Sequence, residues 1–149
     1  MSAEDFFKKV DKKIDSIDEA EAAEKKAAAE LQAFMKKAIE DFSPTLQSYA
    51  DQIKGRGIRC ESNSNGHSFS ITLYFKDGGK HGLTFSQEYR SRIGAYSFNG
   101  NSTNDDGKNY TSTDGSQITQ GNWSAEDAER RIQKVIEDFL FYADRHGGY

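Results

Sequence analysis

Cysteine and proline each occur once in the 149 residues, and between Ala3 and Phe42 there is no glycine, proline or asparagine. A lone thiol, Cys60, excludes an internal disulfide and fits a reducing compartment. No apolar run approaches the ~20 residues that a membrane span requires. The opening Met1-Ser2-Ala3-Glu4-Asp5 is acidic where a secretory signal needs a basic segment followed by an apolar one. These absences lead us to expect a cytoplasmic protein with no membrane association. Small size and acidity are compatible with a bacterial adaptor, chaperone-like or immunity-type protein.

An excess of basic charge is also missing. The net charge is −4, with 12 acids against 9 bases in residues 1–54, 6 against 7 in 55–123, and 6 against 4 in 124–149. Phosphate backbones and anionic lipid repel such a chain unless one face gathers its bases, so nucleic acid is a disfavoured partner. The single cysteine and the histidines at 67, 81 and 146 include no close ligand pair of zinc-site spacing, and neither a metal nor a cofactor is expected. Asn101 to Gly107 superficially resembles a calcium loop. Aligning Gly107 with the sixth position, however, puts Ser102 first and Thr113 twelfth, where an acid and a bidentate glutamate belong. Gly55-Arg56-Gly57 lacks the third glycine and the strand-to-helix setting of a dinucleotide loop.

What the chain does have is a heptad. Phe7, Val10, Ile14, Ile17, Glu21, Glu24, Ala28, Leu31, Met35, Ala38 and Phe42 follow one another at helical spacing, a coiled-coil seam interrupted only by the two glutamates. Ser2 with Asp5 caps the start. Ala20 to Glu30 consists of helix formers and one element is favoured, although Ser16 or Asp18 could cap a second helix and close a hairpin. Forty residues reach ~60 Å, whereas a compact domain made of the remainder is ~30 Å across, so a single helix must overhang. Leu31 to Phe42 then pack on the domain. Phe7, Val10, Ile14 and Ile17 are left as partner-binding residues for a homodimer or another protein.

Ser43-Pro44 reads as the end of this helix and Pro44 to Lys54 as a short second one, dividing the chain into residues 1–42 and 43–149. From Ile58 the period becomes alternating. Phe69, Ile71, Leu73 and Phe75 share one face of a strand, and Leu83 with Phe85 continue it on the next. Setting Leu73 opposite Leu83 requires a three-residue loop, Asp77-Gly78-Gly79, with Gly79 left-handed. Further strands are expected at Ile58 to Ser62, pairing with the strand at Phe69, and at Ile93 to Asn99. A small hairpin around Asp114-Gly115 would join Asn109 to Thr113 with Gln117 to Gln120. Ser124 with Asp127 caps a last helix that buries Ala128, Ile132, Val135, Ile136, Phe139, Leu140 and Ala143. The fold class is α+β: a long N-terminal helix plus a short one, an antiparallel sheet of about four to six strands, and a C-terminal helix packed on it.

Chemistry is harder to find. Cys60 with His67 or His81 is the one conceivable thiol–imidazole pair, but a cysteine in a strand is ordinarily a small buried hydrophobe, so a Cys-dependent enzyme is disfavoured. On the polar sheet face, Tyr74, Glu88, Arg90, Arg92 and Tyr96 are candidate surface-binding residues, with a single-stranded nucleic acid as the alternative partner. The competing reading places Tyr96 and Phe98 under the Gly100 to Gly121 loop as ordinary packing. The leading expectation is a non-enzymatic interaction module that self-associates through its N-terminal helix.

Overall fold

The computed structural model describes residues 2–149. One helix, α1, runs from Ala3 to Gly55 and is followed by five strands: β1 (Arg59–Ser64), β2 (Phe69–Tyr74), β3 (Lys80–Gln87), β4 (Tyr96–Thr103) and β5 (Asn109–Thr113). A second helix, α2 (Ala125–Tyr142), ends in a 3-10 turn at Ala143–His146. The strands form one antiparallel sheet in the order β1-β2-β3-β4-β5. Both helices contribute to a single core on one face of that sheet.

The Ser43-Pro44 boundary does not exist, because α1 passes through Pro44 without ending. Its buried row, Leu31, Met35, Ile39, Phe42, Leu46, Ala50 and Ile53, continues across the proline at unbroken spacing and holds Ile39 where the heptad placed Ala38. Burying a large apolar side chain is worth ~1.5–3 kcal/mol, and four such residues of the row lie before the proline and two after it. That outweighs the ~3 kcal/mol that an interior proline costs. Ser43, read as the cap of a new helix, instead donates its hydroxyl back to the Ile39 carbonyl at 2.9 Å. Both expected caps are present: Ser2 Oγ accepts from the Asp5 amide at 3.1 Å and Ser124 Oγ from the Asp127 amide at 3.2 Å.

In the sheet the expected faces hold, but the register is shifted. Ile71 lies opposite Leu83 and Phe69 opposite Phe85, so the β2–β3 connection spans Phe75 to Gly79. Gly78, at φ +90°, takes the left-handed conformation expected of Gly79, and the Gly79 amide is held by Asp77 Oδ1 at 2.7 Å. β1 pairs with β2 as expected. β4 starts at Tyr96, later than Ile93. The hairpin at Asp114-Gly115 is absent because β5 pairs with β4, and Ile118 then bridges Tyr96 along the same edge. On α2, Leu140 is 49 % exposed, not buried.

Candidate functional site

Two regions carry groups that the fold does not use up. The first is the front of α1. From Ala3 to Ala27 every side chain is exposed except that of Val10, which is half-buried. The hairpin is thereby excluded: this is a free arm, ~37 Å long at 1.5 Å per residue. Phe7 is 58 % exposed, Ile14 48 % and Ile17 49 %; Phe6, missed by the heptad, is 51 % exposed and meets Phe7 edge-on with ring centroids 5.3 Å apart.

The two parts of α1 differ in period. The packed row repeats every eleven residues, at Leu31, Phe42 and Ile53, or about 3.67 residues per turn, close enough to the 3.6 of an α-helix that the row stays on one side of α1. The arm's row repeats every seven, from Phe7 to Ile14 and from Val10 to Ile17, the spacing of a helix that wraps around another. At 100° per residue the mean directions of the two rows differ by only about 30°, so the arm's apolar side looks the same way as the domain.

Where the arm meets the domain, the β3–β4 loop rests against it. A Cβ on Gly94 would approach Ala28 Cβ at 3.7 Å, and Gln32 Nε2 donates to Gln87 Oε1 at 3.3 Å. The loop is pinned internally: the Glu88 amide donates to the Ala95 carbonyl at 2.8 Å and the Ala95 amide to Ser91 Oγ at 3.1 Å. It presents Tyr89, which is fully exposed, Ile93 at 49 % exposure, and the exposed Arg90 and Arg92. Arg90 and Arg92 therefore project from a loop and not from a strand.

The remaining sheet-face candidates are dispersed. Tyr96 is 2 % exposed and belongs to the core, because its position opposite Gln87 turns its ring toward Phe85, with centroids 5.4 Å apart. Phe98 lies beside it at 4.6 Å from Phe85. Tyr74 does face outward, but its hydroxyl donates to Glu61 Oε2 at 3.0 Å and Arg59 covers its ring at 4.8 Å. Glu88 accepts from the Ser97 hydroxyl at 3.4 Å. Elsewhere this face is a ladder of matched hydroxyls and amides, such as Asn101 Nδ2 donating to Thr84 Oγ1 at 3.1 Å. No row of free rings is available there for stacking bases.

The second region is a groove between α2 and the β3–β5 end of the sheet, built from residues that no spacing along the chain links. Beyond Phe98 the core side of β4 carries Gly100 and Ser102, and that of β5 carries Ser112, leaving a hollow of about 510 Å³ walled by Arg131, Lys134 and Asp138. On its floor His81 Nδ1 lies 2.7 Å from Ser102 Oγ, and His81 Nε2 lies 3.9 Å from Asp138 Oδ2. Burial holds the imidazole below its usual range; Asp138 opposes the shift and Lys134 reinforces it. The trio has the composition of a nucleophilic triad without its geometry. Ser102 is 5 % exposed, near the end of a strand that is paired on both sides at that position, and Asp138 is engaged by Lys134 at 2.7 Å. Across the groove Arg131 binds Asp114 at 2.7 Å. Hydrogen bonds from the Ser116 backbone, then from Arg131, lower Asp114 to about 2.

Cys60 lies buried on β1 opposite Leu73, which in turn lies opposite His81, so β2 separates the thiol from that imidazole. Burial raises the thiol's pKa. His67 is exposed in the β1–β2 turn. The Asn101–Gly107 stretch is the end of β4 and its turn, where Asn104 Oδ1 accepts from the amides of Asp106 and Lys108 at 3.0 and 2.9 Å. Among the described residues no group of three or more acidic, histidine or cysteine side chains could hold a metal, and no helix is long and apolar enough to cross a membrane. No protein-family model, curated protein or solved structure matches the chain.

Proposed function

We propose that this protein is a non-enzymatic interaction module that self-associates through the free arm of α1, in the manner of an adaptor, chaperone-like or immunity-type protein of the bacterial cytoplasm. The observation that carries the reading is the row of exposed Phe6, Phe7, Ile14 and Ile17, with half-buried Val10 among them, on an arm that the domain does not cover. Large apolar side chains at ~1.5–3 kcal/mol each favour a cover, and their seven-residue period fits a helix as that cover. A second copy brings such a helix by default. The cytoplasmic setting is supported by the unpaired, buried thiol.

Light scattering after size exclusion tests this at tens of micromolar protein. The expected result is a dimer for the wild-type chain and a monomer for Ile14→Asp, with the variant keeping a cooperative thermal melt because Ile14 contributes nothing to the domain's core. A monomeric wild type refutes the proposal. Single-stranded nucleic acid as partner has weaker support, since Tyr96 and Phe98 are core residues and the acidic arm repels phosphate.

A further inference from the structure

Self-association of the arm leaves its geometry open, and the β3–β4 loop narrows it. A parallel pair is sterically barred. The arm's apolar row and the buried row of α1 face nearly the same way, so two parallel helices in contact would bring both sheets into the same space. An antiparallel pair sets the two domains at opposite ends.

Seam packing between antiparallel helices matches the first position of one heptad with the fourth of the other. Phe7 can therefore lie opposite Ile17, Glu24 or Leu31 of a second copy. Opposite Ile17, the arm's tip ends short of the neighbouring domain and leaves Tyr89 and Ile93 uncovered. Opposite Leu31, the tip would run over Met35, whose side chain is fully covered by its own sheet. Only the middle register avoids both faults. It places Ala3 opposite Ala28, the residue against which Gly94 and its loop rest.

The chemistry of tip and loop is complementary. The tip carries Glu4, Asp5, Phe6 and Phe7; the loop carries Arg90 and Arg92 between Tyr89 and Ile93. Among the described residues none of these four charges has an ion-pair partner, and all four apolar side chains are about half exposed or more. Between tip and loop the arm is Ala20 to Ala29, rich in small side chains that leave room for two phenyl rings.

We infer that the partner is a second copy of this chain packed antiparallel, with the β3–β4 loop of each copy clasping the acidic, aromatic tip of the other's α1. This rests on the self-association proposed above. In this register Ile14 and Ile17 form the two central layers, while Glu21 and Glu24 lie opposite Val10 and Phe7 and keep the helical part of the contact weak. The clasp at each end then contributes much of the affinity.

Charge reversal tests it. One variant carries Arg90→Glu with Arg92→Glu, the other Glu4→Lys with Asp5→Lys. All four sites are exposed, and a thermal melt of each verifies the fold. Each variant alone meets like charge at both clasps and is expected to dimerise roughly tenfold more weakly at low salt. Mixed, the two restore opposite charge at both clasps, and a heterodimer of wild-type affinity is expected. If both variants dimerise as the wild type does, or the mixture is not restored, the clasp is wrong while self-association stands. If the wild type is monomeric, both fall.

Discussion

His81 on β3 and Ser102 on β4 sit opposite each other in the sheet, with the imidazole Nδ1 and the hydroxyl 2.7 Å apart. A proton on Nε2, drawn toward Asp138, leaves Nδ1 free to accept from Ser102. The pair thus favours a neutral ring, as does burial, which lowers the imidazole's pKa.

Stability should follow that titration. The folded pKa lies below the unfolded value near 6.5, so the unfolded chain takes up its proton first. Stability is full above pH ~6.5 and declines as the pH falls through and below it. His81→Asn, whose amide can stand in for Nδ1, is expected to flatten denaturation midpoints between pH 7.5 and 5.5. Asp114 acts in a separate window: depressed to about 2, it stabilises the fold above pH ~4 and loses that contribution as the pH falls from 4 toward 2. An unchanged slope in the histidine variant would contradict the assignment.

Pro44→Ala should stabilise the protein. The substitution supplies the missing amide to the Glu40 carbonyl and removes the ring from a helix that already continues past it. Greater freedom of the unfolded chain offsets part of the gain, leaving a net effect of about 1–2 kcal/mol in urea denaturation.

Tyr49→Phe should cost about 1 kcal/mol. The hydroxyl donates to Glu129 Oε1 and accepts from Gln133 Nε2, each at 2.8 Å, and so joins α1 to α2. The bonds are partly solvated, which keeps the loss below the ~1.5–3 kcal/mol of a bond to a charged group.

Cys60 should react with a thiol reagent only as fast as the domain opens. It is 5 % exposed, and burial raises its pKa. Labelling is expected to accelerate with urea in step with unfolding; rapid labelling of the native protein would place the thiol in a reactive setting.

Local rules made much of this fold legible. Ser2 and Ser124 announce their helices through hydrogen bonds reaching only three residues, and the alternation of β2 is visible because one face is apolar and the other is not. Pro44 misled because a local penalty was set against burial that only the finished core reveals. Tyr96 misled because its facing depends on a register fixed by Gln87 across the sheet. The groove was hidden for the same reason: His81, Ser102 and Asp138 come from three elements, with no spacing to link them. One trace was present. After Tyr96 and Phe98, the core side of β4 continues as Gly100 and Ser102, a hint that the strand runs out from under its helix.

The order of the sheet bears on how the chain reaches this state. Each strand pairs with its neighbour in sequence, so successive hairpins can close over short loops, and the longest closure is the docking of two helices separated by the whole sheet. Residues 3–27 take no part in either step. A chain shortened to begin near Ala28 should therefore refold at the rate of the intact one, with the arm free to form as an independent helix before, during or after the rest.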